Sequence, residues 1–216
     1  MSYLTTYRRL NQLYGAAAAT YILGASVLRR MGYLRYACYA RDSVASAPHS
    51  VPPGFTIRAV DANEVGRWAP SPEMDMSTAF AAGLKEGKDY AVAAYASGSP
   101  DTLPAAYGFL SLGDTAVDDR WILGLPGDGA YVYKTFTRES FRGRGLNKAC
   151  CSFLMALPQT KGRRVLTLIE ASNVASRRSF EAVGFVTKGN LLTWSNGACA
   201  KLTPGARKAG LRLLSG

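Results

Sequence analysis

The chain has 216 residues and carries 26 Lys+Arg against 15 Asp+Glu, a formal net charge of +11 with its single histidine neutral. That length suits one ordinary domain with an appendage, and 48% hydrophobic against 19% charged residues supplies enough apolar material for a sizeable core. The lone histidine, His49, sits in A-P-H-S-V-P-P, which excludes or badly strains a Ser-His-Asp triad, a histidine-rich metal centre and an H-E-x-x-H protease. No metal is expected. The cysteines are Cys38, Cys150, Cys151 and Cys199, with no C-x-x-C pair, which suits a reducing, cytoplasmic setting. Cys150 and Cys151 lie in the apolar run K-A-C-C-S-F-L-M and read as small buried hydrophobes.

Residues 3 to 36 predict an amphipathic helix, with Leu4, Tyr7, Leu10, Leu13, Tyr14, Ala18, Tyr21, Ile22, Ala25 and Leu28 at helical spacing and Gly15, Gly24 and Gly32 weakening it. It is marginal for a bilayer span, and Arg8, Arg9, Arg29, Arg30 and Arg35 beside the apolar face suit docking on the body, packing on a second copy, or lying in a membrane interface. Residues 1–40 therefore read as an N-terminal helical segment and 41–54, rich in proline and small polar residues, as a linker. The body, 55–200, opens with strand 55–60 and a short helix capped by Asp61. A helix over 74–84 and antiparallel strands 89–96 and 105–112 follow, then a long polar connection over 113–129. Strand 130–137, a glycine turn at 142–146, helix 146–157, strand 165–171, helix 173–184 and a last strand from Phe185 complete it. Residues 201–216, four basic and none acidic, read as a basic tail. Mixed strands and helices in this order predict an α+β fold, a central mixed sheet flanked by helices.

The segment Arg142-Gly143-Arg144-Gly145-Leu146-Asn147-Lys148 lies between a strand and a helix, where free N–H groups and the helix dipole favour a phosphate. Glycines let a pyrophosphate approach the backbone, and Arg142, Arg144 and Lys148 add charge at its edge. Taken alone, this segment reads first as a tight turn flanked by solvated arginines and only second as a phosphate site. It matches neither the G-x-x-x-x-G-K-[ST] loop nor the G-x-G-x-x-G fingerprint.

The same residues, together with N-V-A-S-R-R-S-F-E-A-V-G-F at 173–185, resemble the GNAT superfamily of acyl-CoA-dependent N-acyltransferases, and element order agrees from Phe55 to about Trp194. The resemblance implies that the amides of Arg144 to Asn147 hold the CoA pyrophosphate and that Phe136 and Thr137 pair with the pantetheine arm. It also implies that Asn173 touches the cofactor near its reactive end, with Ser176 and Arg177 close to the nucleotide. Two residues depart from the pattern. Asn147 replaces a small residue, and Phe180 stands where many members carry a tyrosine that protonates the leaving thiolate.

The activity so implied is transfer of an acetyl group from acetyl-CoA to a small-molecule or protein amine by direct attack. Deprotonating a lysine-like amine near pH 7 costs about (10.4 − 7) × 1.36, or roughly 4.6 kcal/mol, so a base is useful. Glu170 and Tyr133 lead as catalytic groups, with Asp118 and Asp119 behind them, and Glu170 is equally suited to a salt bridge with a neighbouring arginine. The excess charge and the N-terminal helix also fit a long-chain N-acyltransferase fed by acyl-CoA or an acidic acyl-carrier protein at a membrane's inner face. Phe180 and the missing histidine fit a non-catalytic CoA-binding module. No zinc-finger, basic-heptad or RNA-recognition signature favours nucleic acid. Acceptor loops are expected at 70–88, 113–129 and 195–201; Trp121, Trp194 and Tyr133 suit core packing first and the lining of an apolar acceptor pocket second, and a homodimer is open.

Overall fold

In the computed structural model, residues 3–42, 50–98, 103–116 and 120–215 are described; His49, Asp118, Asp119 and half of the 41–54 segment lie outside them. The N-terminal segment is two helices, α1 (Tyr3–Tyr14) and α2 (Ala16–Arg30), broken at Gly15, whose φ of 87° lies in the left-handed region that interrupts a helix. The chain then turns through Gly32 into strand β1 (Leu34–Asp42). The predicted helix therefore stops at Arg30, six residues early, and the last residues of the 1–40 segment belong to the sheet. Next come β2 (Phe55–Val60), α3 (Ala62–Trp68), α4 (Ala79–Lys85), β3 (Asp89–Ala96) and β4 (Ala106–Ser111). They are followed by β5 (Thr115–Ala116), β6 (Trp121–Gly124), β7 (Gly129–Thr137), α5 (Leu146–Met155), β8 (Arg164–Glu170) and α6 (Val174–Ala182). The chain ends in β9 (Val186–Trp194), β10 (Cys199–Leu202), α7 (Pro204–Lys208) and β11 (Arg212–Ser215).

Eight strands form one mixed sheet in the order β10-β9-β1-β8-β7-β4-β3-β2. Its pairings are antiparallel except β7 with β8. The N-terminal strand β1 thus sits in the sheet interior, antiparallel to both β8 and β9, with Tyr39 opposite Thr167 on one side and Thr187 on the other. Alternation along β1 serves both faces: Ala37 and Tyr39 join the core under α5 and α6, while Cys38 and Ala40 join the opposite core. That opposite face carries two clusters. Leu123, Leu125, Leu191, Leu202, Ala206 and Leu211 pack on the β1–β8 half, and α3, α4 and the segment joining them cover the β2–β4 half through Val65, Trp68, Ala81 and Met74.

Two segments differ from the sequence reading for a common reason, pairing partners remote in the chain. The connection 113–129 holds β5 and β6, which form a three-stranded sheet with β11. The supposed basic tail is β10, α7 and β11: Lys201, Arg207, Lys208 and Arg212 face solvent while Leu202, Ala206, Ala209 and Leu211 between them are buried. Further upstream, α4 begins at Ala79, five residues later than the apolar spacing from Met74 suggested, and Met74 is buried outside any helix. The Asp61 cap forms as expected, with its carboxylate accepting from the amides of Asn63 and Glu64 at 2.9 Å.

Candidate active site

The site arises where β7 and β8 part. Their parallel ladder runs only from Gly129↔Arg164 to Tyr131↔Leu166. Beyond it β7 carries a bulge opposite Gly108, with Lys134 at φ 46°. A bulge bends its strand and sharpens the local twist, and here β7 leaves β8 so that a wedge opens between Val132–Thr135 and Thr167–Glu170. Asn173, Ser176 and Phe180 close its far wall. Phe180 is buried and packs edge-on to Phe185, ring centroids 5.1 Å apart.

The wedge opens into a cleft of about 870 Å³, a volume in the range of sites that enclose organic ligands. Its floor is Thr135–Thr137 of β7, and its end is the turn leading into α5. Gly143 and Gly145 have φ of 78° and 77°, and a Cβ on either would meet nothing within 4 Å. Glycine is therefore required by backbone conformation, and the space beside it stays clear. No side chain caps α5, so its first amides face the cleft with the positive end of the helix dipole behind them. Thr137 Oγ1 is buried without a hydrogen-bond partner, an orphan that a bound polar group would satisfy. The open glycine cradle, the uncapped amides, this orphan and the unpaired edge of β7 fit a pyrophosphate with an extended amide-bearing arm, as in a coenzyme A thioester.

Of the twelve residues expected around the cofactor, Phe136, Thr137, Arg142, Gly143, Gly145, Leu146, Asn147, Lys148, Asn173 and Ser176 line the cleft. Arg144 and Arg177 do not. The Arg144 guanidinium lies over the rings of Phe55 and Phe141, 5.9 and 5.6 Å from their centroids. Arg177 donates to the Tyr39 hydroxyl at 2.9 Å and to the Ala171 carbonyl at 3.1 Å, tying α6 to the sheet. Asn147 lines the cleft but turns its amide inward, donating to Thr135 Oγ1 at 3.4 Å and accepting from the Cys151 thiol at 3.3 Å. Asn173 Oδ1 accepts from the Ser176 amide and caps α6. Leu13 and Tyr14 also reach the cleft, with Arg178 over the Tyr14 ring at 5.5 Å. No local pattern signals their presence, because it follows from where the N-terminal helices fold back.

The two candidate catalytic groups lie at the wedge in different environments. Glu170, the last residue of β8, accepts from Ser172 Oγ at 2.5 Å through Oε1 and pairs with Arg29 Nη1 at 3.2 Å through Oε2. Tyr133 points its hydroxyl at Asp89 Oδ2, 2.5 Å away. Burial, then the hydrogen bond to Asp89, push its phenol far above the ordinary range and keep it protonated. Trp121 is engaged elsewhere, donating to the Gly197 carbonyl at 2.7 Å. The adjacent thiols of α5 offer no nucleophile: burial pushes Cys150 up to about 12 and raises Cys151 well above the ordinary thiol value. Among the described residues, no group of three or more His, Cys, Asp or Glu is placed to hold a metal ion, and no helix is long and apolar enough to cross a membrane.

A parallel ladder split by a bulge, with a glycine turn and an uncapped helix beside it, sits in a fold shared with solved GNAT proteins. Residues 107–194 match the family model described as FR47-like protein. The fold is similar to a putative acetyltransferase of the GNAT family from Novosphingobium aromaticivorans, at 17% identity and TM-score 0.51, over 74% of this chain and 62% of that one. A GCN5-related N-acetyltransferase from Sphaerobacter thermophilus matches at 13% identity and TM-score 0.50, over 77% and 53% of the two chains. A GCN5-related N-acetyltransferase-like protein from Streptococcus suis matches at 12% and 0.50, over 88% and 68%. This chain spans 53% to 68% of the length of these three. No curated protein matches the sequence. The fold and the FR47-like segment together bear out the resemblance to the GNAT superfamily carried by residues 142–147 and 173–185.

Proposed function

We propose that the chain transfers an acetyl group from acetyl-CoA to an amine acceptor by direct attack of the amine. One observation carries the reading: the uncapped start of α5, the unpaired run of β7 beyond Tyr131 and the orphaned Thr137 hydroxyl converge on one cleft, which adjoins the wedge lined by Glu170. The amides of Arg144 to Asn147 hold the pyrophosphate, with Arg142 and Lys148 adding charge at the rim, and Phe136 and Thr137 pair with the pantetheine arm. Bound acetyl-CoA supplies an acyl group already activated as a thioester. Backbone amides of β7, released from β8, face the developing oxyanion.

Glu170 takes the proton from the acceptor ammonium. Its partner Arg29 is 64% exposed, and such a surface pair is worth about 1 kcal/mol or less, so it opens at small cost. Tyr133, its proton committed to Asp89 and its phenol pushed far above the ordinary range, is neither a ready base nor a ready acid. Phe180 supplies no proton, which leaves reprotonation of the thiolate to solvent. The test follows thiol release from acetyl-CoA with a panel of amines. Glu170→Gln lowers kcat/KM on the order of 100-fold at pH 7 and less at pH 10, where the free amine is abundant. A mutant whose deficit is the same at both pH values removes Glu170 from the base role, and tight acetyl-CoA binding with no amine turned over overturns the enzymatic reading.

A further inference from the structure

A second cavity, of about 320 Å³, lies under α2, walled by Tyr21, Gly24, Ala25 and Leu28, by Tyr33 to Arg35 at the start of β1, and by Glu170 to Ser172 beyond β8. It adjoins the wedge, since Glu170 lines both. Two features mark it as more than a packing gap. Tyr21 and Leu28 stay 39% and 45% exposed, an apolar wall left facing water. Gly24 falls inside a fifteen-residue helix, where glycine weakens the element relative to alanine. Its φ lies outside the left-handed region and a Cβ there would meet nothing within 4 Å, so neither conformation nor protein packing calls for glycine. The room it leaves opens into the cavity.

At the junction with the wedge stands a carboxylate whose counter-ion, Arg29, is mostly in solvent. Arg35, the other cation on the wall, is occupied by Asn190 Oδ1 at 2.8 Å. We infer that the cavity receives the apolar body of the amine acceptor, with the acceptor's ammonium displacing Arg29 from Glu170; the inference rests on the acetyltransferase reading above. The acceptor class is a primary amine on an aliphatic or single-ring apolar body. In the reaction the ammonium proton passes to Glu170, the amine nitrogen bonds to the acyl carbon, the carbon–sulfur bond breaks, and the second proton the nitrogen sheds as the amide forms passes through solvent to the departing thiolate. A donor acyl chain fits the cavity less well, because it would have to pass the Glu170 carboxylate to enter.

The test measures kcat/KM of the full chain with saturating acetyl-CoA and unbranched primary amines from ethylamine to hexylamine, plus 2-phenylethylamine. A donor series from acetyl- to octanoyl-CoA with ethylamine runs beside it, and acetyl-CoA binding is read by calorimetry. The expected result is a rise of about fourfold per added methylene, carried by KM, until the cavity is full. Gly24→Leu, which favours the helix, flattens that series, with Gly24→Ala intermediate, while acetyl-CoA affinity holds. A flat amine series, a series still steep in Gly24→Leu, or chain-length dependence residing in the donor overturns the inference while leaving the parent reading intact. Absence of acetyl-CoA binding in the wild type defeats both.

Discussion

Replacing Tyr39 by alanine tests whether the N-terminal strand belongs to the interior of the sheet. Tyr39 is fully buried between β8 and β9, and truncating a large aromatic at such a site costs about 3–5 kcal/mol through lost burial and the cavity left behind. Its hydroxyl also accepts from Arg177 Nε at 2.9 Å and donates to Glu181 Oε1 at 2.7 Å. Tyr39→Phe removes those two bonds and keeps the ring. Because Glu181 is exposed and regains water, the phenylalanine variant should lose about 1–2 kcal/mol. For a chain of this size 4 kcal/mol corresponds to a melting temperature lower by on the order of 10 °C. Urea unfolding followed by far-UV circular dichroism and tryptophan fluorescence gives both values. Leu4→Ala is the control, since Leu4 is 71% exposed and should change stability by less than about 0.5 kcal/mol. A Tyr39→Ala midpoint as close to wild type as that of Leu4→Ala would refute the placement of residues 34–42 in the sheet.

Two further outcomes follow from the buried polar groups. Burial pushes the Cys38 and Cys150 thiols up to about 12, so both stay neutral in the folded chain while the unfolded chain ionises near pH 9. The folded state then binds more protons, and the stability these groups contribute is complete below about pH 9 and declines as pH rises toward 12. Urea midpoints at pH 8 and pH 10.5 should fall in that order, and Cys38→Ala with Cys150→Ala should shallow the decline. Asn147→Ala breaks the links to Thr135 and Cys151 and should cost about 1 kcal/mol of stability. The Asn147 amide faces inward, so calorimetry should show acetyl-CoA affinity changed by less than about threefold.

Where one segment carried its own instructions, the sequence was a good guide. The Asp61 cap, the apolar run D-Y-A-V-A-A-Y-A ending at turn residues and the glycines that α5 needs at φ near 77° are local requirements, and each formed where the spacing placed it. Residues 34–42 were misread because a strand buried on both faces shows no polar side. Leu34 and Tyr36 fell within the span read as helix and Arg41 and Asp42 within the span read as linker, and their strand partners lie more than 120 residues away. β6 and β11 were missed for the same remoteness of their partners, and β5 is only two residues long. Within the site, the backbone cradle was legible and side-chain direction was not. Nothing in R-G-R-G-L-N-K distinguishes Lys148 at the cleft from Arg144 stacked on two phenylalanines. The Glu170 environment depends on Arg29, a residue 141 positions earlier, and Gly24 gained meaning only once α2 was set against β8.

Calorimetric titration of the chain with acetyl-CoA tests the central claim most directly, with Gly145→Glu and Lys148→Glu as companions and circular dichroism confirming that each variant is folded. The account predicts one site with Kd on the order of 10 µM, weakened at least tenfold in Lys148→Glu and lost in Gly145→Glu, whose carboxylate stands among the α5 amides. No binding to the wild type, or binding that neither variant weakens, would contradict the assignment of the α5 cleft to the acyl donor.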